Sequence, residues 1–252
     1  MKKRVFYTEA AYLLGVSTIA LATAMMAAAD FGVSMVVAPA YLLHLKLSQT
    51  LPFVTFGRAE CLLQAVLVAA TIVILGKFRL SLLFSFVTAF IYSLLLDGFA
   101  VPIALLPVDN RIVRLLLYGG GIVICAFGVS CMFHTYISPA AYEMFVKEVS
   151  GHYHRDINKF KMAYDCISCA VAVAMSLLFF GRFEGVKIGT VLCAFLNGWL
   201  IGIFSRLMEK RFAYRDALLS ERPYGPCSSA ASRRRIDPFL AFGRRQDDAD
   251  AH

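Results

Sequence analysis

The segment that begins at Glu60, ECLLQAVLVAATIVILGKF, is written again from Asp165 as DCISCAVAVAMSLLFFGRF. Laid over each other without gaps, the two pair Glu60 with Asp165, Cys61 with Cys166, Ala65 with Ala170, Gly76 with Gly181 and Phe78 with Phe183. The pairing continues through Ala89 and Phe90 against Ala194 and Phe195, Leu95 against Leu200, and Phe99 against Phe204. Apolar sequence matches itself by chance, so acid on acid, glycine on glycine and Lys77 on Arg182 carry the most weight. Upstream, a register shifted by one residue pairs Leu13, Gly15, Ala22 and Ser34 with Leu117, Gly119, Ala126 and Ser138.

Each half therefore has a helix rich in glycine and alanine, then a serine and a Pro-Ala pair (Pro39 and Ala40; Pro139 and Ala140). A semi-polar stretch ending near Lys46 or Lys147, the acid-led helix and a final helix follow. Repeat one covers residues 9–99 and repeat two 113–207, with a basic segment (1–8) before them, a connecting loop (100–112) between them and a basic tail (208–252) after them.

Composition identifies the solvent of this duplicated unit. Of 252 residues, 59% are hydrophobic and only 17% charged, a balance that belongs in a bilayer. A spanning helix needs ~20 mostly apolar residues. The sequence offers six: Ala10 to Ala29, Cys61 to Leu75, Leu80 to Leu96, Leu115 to Phe133, Cys166 to Phe180 and Ile188 to Leu207. The two short ones are extended by flanking residues such as Ala59 and Tyr164. MKKR before the first apolar run, which closes with Ala27, Ala28 and Ala29, also has the form of a cleavable leader. The same segment recurs in the second half, where no leader could act, so it reads as a retained first helix.

Three crossings per repeat is an odd number, so the second copy enters the membrane from the opposite side. The expected fold is all-α and polytopic, six transmembrane helices built as two inverted three-helix repeats. Each repeat carries an interfacial or re-entrant short helix that begins near Pro39 or Pro139.

The net charge of +8 sits at the ends: Lys2, Lys3 and Arg4 open the chain, and Arg206, Lys210, Arg211, Arg215 and Arg233 to Arg235 follow the last helix. Under the positive-inside tendency both termini lie in the cytoplasm, in a multi-pass protein of the inner (plasma) membrane. Beside a membrane helix, the basic tail reads as topology and contact with anionic lipid rather than nucleic acid. Of the seven cysteines, all but Cys227 lie in apolar helices, and the Cys166/Cys169 pair has no second pair or histidine cluster to complete a zinc site. His152 and His154 read as solvated loop residues, and no metal or cofactor is expected.

Ionisable and amide groups inside the spans are the candidates for function. Glu60 and Asp165 are either helix caps, favoured by ~0.3–1 kcal/mol, or symmetry-related carboxylates that bind a proton, a cation or an amine. Lys161, one turn before Asp165, is placed to pair with it, and Arg58 stands similarly near Glu60. Thr190 with Gly189, then Asn197 with Gly198, make a polar and small-residue stripe, suited to close helix approach or to lining a substrate path. Tyr92 is the repeat mate of Asn197. The substrate- or ion-binding set is therefore Glu60, Asp165, Lys161, Thr190, Asn197 and Tyr92. The alanine ladder Ala20, Ala24, Ala28 and the glycines Gly119, Gly120, Gly121 and Gly128 are expected to mark tight packing between the repeats. No Walker loop, HExxH or nucleophile–histidine pairing is legible, so the sequence points away from an enzyme.

AADFGVS after the first helix, SPAAYEMF, FKMAYDC and GVKIGTVLCAFLNGWLIGIF together resemble the bacterial YczE/YyaS/YitT group of membrane proteins, over residues 9–207. The resemblance implies a multi-spanning inner-membrane protein, commonly treated as a transporter without an agreed substrate. Where many YitT members carry a folded cytoplasmic domain, this chain has a tail rich in Arg, Ser, Ala and Asp that is expected to be disordered. Phe84 and Ser85 stand where the second repeat has Gly189 and Thr190, which counts against a fully symmetric site.

Three readings stay open. The first is a secondary transporter or exporter of a small polar or amphipathic metabolite. The second is a substrate-binding subunit resembling an energy-coupling-factor S component, docking through the alanine ladder. The third is a membrane scaffold or accessory protein. The expected partners are the lipid bilayer and a small-molecule substrate, with association into a homo-oligomer left open.

Overall fold

A computed structural model of the chain describes residues 4–76, 80–106, 110–133, 140–154, 157–182 and 184–215. Among the described residues eight helices run in the order α1 (Thr8–Ala29), α2 (Ala38–Leu47), α3 (Phe56–Leu75), α4 (Leu80–Ala104), α5 (Arg111–Phe133), α6 (Ala141–His152), α7 (Ile157–Phe180) and α8 (Ile188–Arg211). All but the short α2 and α6 are long and apolar enough to cross a membrane, so the architecture is that of an all-α, multi-pass membrane protein. Two four-residue strands, β1 (Arg4–Tyr7) and β2 (Phe212–Arg215), pair in parallel. They bring the start of α1 and the end of α8 to the same end of the bundle. The expected disorder of the tail beyond Arg215, and the residue Pro139, lie outside the described residues.

Local chemistry accounts for the ends of the helices. Thr55 caps α3 by accepting a hydrogen bond from Arg58 N at 3.3 Å. Gly76 and Gly181, paired in the sequence repeat, both follow their helices with positive φ, 62° and 64°, the left-handed geometry that ends a helix on glycine. Val73 and Leu178, also paired, are 80% and 82% exposed, as apolar side chains facing lipid should be. The connection between halves is shorter than the expected 100–112, because α4 continues to Ala104 and takes in Pro102. Pro102 has no N–H to give the carbonyl four residues back, and the helix ends two residues later, where Leu105 N and Leu106 N close the turn on the carbonyls of Pro102 and Ile103. Asn110 then starts α5, its side chain accepting from Ile112 N at 3.0 Å.

The two halves meet along α1 and α5. A Cβ built on Gly15 would stand 3.0 Å from the carbonyl oxygen of Gly128, and one on Gly128 would stand 3.0 Å from that of Gly15. One on Gly121 would stand 3.2 Å from that of Ala22. Contacts advance along α1 as they retreat along α5, so these equivalent helices are antiparallel and one half is the other turned over. The contact of Gly15 on Gly128 is repeated, with roles exchanged, by Gly121 on Ala22. The structural mate of Gly15 is therefore Gly121, two residues away from the Gly119 that the sequence suggests. In an apolar background a run of three glycines fits several registers, and only the crossing itself selects one. A Cβ on Gly119 would meet nothing within 4 Å.

The alanine ladder also differs from expectation. Ala20 and Ala24 are buried with Tyr92, Leu96 and Ile103 of α4, so they tighten packing within the first repeat, while Gly15, Gly121 and Gly128 serve the contact between repeats. The short helices sit crosswise. Ala141, the first residue of α6, lies on Gln64 of α3, and Ala38 and Leu42 of α2 lie on Ala172 of α7. Each short helix thus packs on the acid-led helix of the other half.

Candidate functional site

Between the halves lies a cavity of about 210 Å³. Two of its walls are equivalent: α4 contributes Thr88 and Tyr92, and α8 contributes their repeat mates Cys193 and Asn197. On the α4 side the polar groups are satisfied. Tyr12 Oη donates to Thr88 Oγ1 at 3.0 Å, and Thr88 Oγ1 donates to the Phe84 carbonyl at 3.2 Å. Tyr92 Oη donates to Thr23 Oγ1 at 3.0 Å, which in turn donates to the Ile19 carbonyl at 2.9 Å. These two relays clamp α1 to α4 across otherwise apolar packing. On the α8 side Asn197 has only a weak partner, donating to Cys125 Sγ at 3.5 Å, and its Oδ1 has none among the described residues.

A charged end completes the cavity. Lys161 and Asp165, one turn apart on α7, form the expected pair at 3.8 Å, and the ammonium lies 6.0 Å from the centre of the Tyr142 ring. Asp165 Oδ1 is buried without a hydrogen-bond partner among the described residues. Glu143, in the first turn of α6, faces the same space. Burial pushes the Glu143 carboxyl above its ordinary range; Lys161 opposes that shift and Asp165 adds to it.

Glu60 occupies the corresponding place on α3 in a different setting. It is 1% exposed and stands behind the cavity wall. Gln64, one turn on and equally buried, donates through Nε2 to Glu60 Oε1 at 3.1 Å and accepts from Ala141 N at 3.2 Å. The amide thus joins the carboxyl to the otherwise open N-terminus of α6. Glu60 Oε2 has no partner among the described residues. Arg58 does not reach it: the guanidinium is exposed and donates to the Phe53 carbonyl. The Thr55 cap of α3 is completed from α4, whose Asp97 accepts from Thr55 Oγ1 at 2.6 Å and from Gly57 N at 2.7 Å.

Of the residues singled out from the sequence, the structure brings Tyr92, Lys161, Asp165 and Asn197 together on the cavity and leaves Glu60 and Thr190 off it. Thr190 is fully buried at the start of α8, where its Oγ1 accepts from Lys187 N at 3.4 Å and packs beneath Gly32. Sequence reading passed over Gln64, Thr23, Thr88, Tyr142 and Glu143. Helical spacing could have found two of them, since Gln64 lies one turn after Glu60 and Thr88 one turn before Tyr92. His152 and His154 are exposed at the end of α6, and among the described residues no group of three His, Cys, Asp or Glu could hold a metal ion.

A protein-family model described as a family of unknown function, DUF6198, matches residues 6–206, and the chain belongs to that family. Neither the curated proteins nor the solved structures gave a match.

Proposed function

We propose that this DUF6198 member is a secondary transporter or exporter of a small polar or amphipathic metabolite, and not an enzyme. The observation that carries the reading is a mostly apolar cavity with a charged end, between two halves whose equivalent helices, α1 and α5, run antiparallel. Such a construction has two conformations related by exchanging the roles of the halves, and it can expose one site to either side in turn. The resemblance to the YczE/YyaS/YitT group agrees with this reading, as do termini that share one end of the bundle and, being basic, face the cytoplasm of the inner membrane.

The opposite end supplies a gate. Asp30 closes α1, Arg114 lies in the first turn of α5 and Lys187 precedes α8. Lys187 Nζ meets Asp30 Oδ1 at 2.7 Å and Arg114 stands 3.9 Å from Asp30 Oδ2. Partly exposed pairs of this kind contribute about 0–1 kcal/mol each, small enough to break and remake during a cycle. The docking version of an S component has less support, since Ala20 and Ala24 of the proposed docking ladder are covered by α4.

The test is solute exchange in proteoliposomes under an imposed pH or ion gradient. The reading expects gradient-dependent transport that is lost in Asp165→Asn. Transport unaltered in Asp165→Asn would remove the proposed site.

A further inference from the structure

We propose that the cavity binds a small organic ammonium ion, its charged head at Glu143 and Asp165 and its apolar body along α1 and α5. The inference takes the transport reading as its frame and adds the class of the ligand. Among the described residues three charged side chains line the cavity, and two of them are acids: Glu143, Asp165 and Lys161 leave one negative charge in excess when all are ionised. The lysine is already engaged, with Asp165 at 3.8 Å and over the Tyr142 ring. Among the described residues, the fully buried lining atoms without a hydrogen-bond partner, Asp165 Oδ1 and Asn197 Oδ1, are acceptors. Those two oxygens call for a donor, and an anion or a simple carbonyl compound would leave them unpaired.

An N–H-bearing cation satisfies them, and the rings of Tyr92 and Tyr142 line the same space. Away from the charged end the wall is Val16, Ile19, Met26, Val129 and Met132, a lining for hydrocarbon rather than for a second polar group. About 210 Å³ equals the share of about seven waters, enough for a short alkyl chain and too small for a drug-sized molecule.

Glu143 makes the binding sensitive to protons. The ionisable groups around it are Lys161, Tyr164 and Asp165 from α7, Glu60 from α3, Tyr92 from α4 and Tyr142 on its own helix. The single cation among these is the one already paired. A proton on the Glu143 carboxyl and an ammonium bound beside it compete, one positive charge for another, so amine binding weakens where Glu143 is protonated.

The experiment uses the full chain in lipid nanodiscs and three ligands of one chain length: n-hexylammonium, n-hexanol and n-hexanoate, titrated by calorimetry. The account expects saturable binding of hexylammonium alone, weakened about tenfold or more by Glu143→Gln and by Asp165→Asn. Glu184→Gln, whose side chain pairs with Arg182 away from the cavity, should leave that affinity unchanged. Hexanoate or hexanol binding as well as hexylammonium overturns the proposal on the unaltered protein, whether or not the variants fold. Amine affinity retained by both cavity variants overturns it as well. The transport reading fails separately: hexylammonium that binds but never exchanges across proteoliposomes refutes transport and leaves the amine site standing. Exchange of some other solute without amine binding does the reverse.

Discussion

Glu60 and Asp165 occupy the same place in the two halves and live in opposite surroundings. Glu60 is sealed behind the cavity wall with an amide for company, whereas Asp165 opens onto the cavity and holds a lysine. The residues one turn away account for the contrast. Lys161 precedes Asp165 by four positions, and its counterpart before Glu60 is Phe56, buried against Tyr41 and His44. Gln64 follows Glu60 by four, and its counterpart after Asp165 is Cys169. Duplication thus supplied two acids, and divergence at the flanking turns made one a structural link to α6 and the other a group that can meet a ligand. A symmetric scaffold can hold an asymmetric site, because the symmetry resides in the backbone crossing and the chemistry in single side chains.

The strongest disturbance strikes what the halves share. Gly128→Val places a Cβ 2.4 Å from Thr18 Oγ1 and 3.0 Å from the Gly15 carbonyl, and the backbone of α1 has no room to yield. Loss of the monodisperse folded protein on size exclusion is the expected result. A well-folded variant would show that the halves do not meet at this crossing.

Writing the second half into the first, by Gln64→Cys, removes the partners of Ala141 N and of Glu60 Oε1 together. Each buried group left unpaired costs about 1–3 kcal/mol. A clear drop in Tm is expected, and an unchanged Tm would mean that the amide does not join α3 to α6.

Asp165→Asn tests the opposite side of the contrast. The Lys161 pair is partly exposed, so the stability loss should stay within about 1 kcal/mol while hexylammonium affinity falls. Proton sensitivity follows from Glu143. Its carboxyl is raised in the fold, so the folded state holds the proton more tightly than the unfolded chain. That contribution to stability is present below the ordinary carboxylate value of ~4.3 and is lost as pH rises through the raised value. Ammonium binding needs the carboxylate, so hexylammonium affinity should climb over the same window, and Glu143→Gln should flatten the climb. The smallest effect belongs to Glu60→Gln: the new amide keeps an acceptor for Gln64 Nε2 and nearly the same volume. A Tm change worth less than about 1 kcal/mol is expected, and a collapse would show that the acid itself holds α3 in place.

Much of this was legible without coordinates, and the misses share a cause. Six spans, two short helices, the Lys161–Asp165 pair and the matched positions of Tyr92 and Asn197 follow from hydropathy and helical spacing, which act locally along the chain. The choice of Gly121 over Gly119 as the mate of Gly15 depends on which face of α5 meets α1, and no local pattern encodes a crossing. Arg58 stands near Glu60 in sequence but donates to a loop carbonyl: two residues apart on a helix they point to different sides, the base outward and the acid into packing. Thr190 looked like a lining residue because α8 is polar on that stripe, yet it turns toward Gly32 and serves its own helix start.

The most direct check on the central claim, two halves turned over around α1 and α5, is a topology measurement. Paired compartment reporters, one active only in the cytoplasm and one only outside it, would be inserted after Gln49 in the turn that follows α2 and after Gly151 near the end of α6. The account predicts that these two equivalent places report opposite sides of the membrane. The same side for both would contradict the inversion, and with it the shared cavity as a site of alternating access.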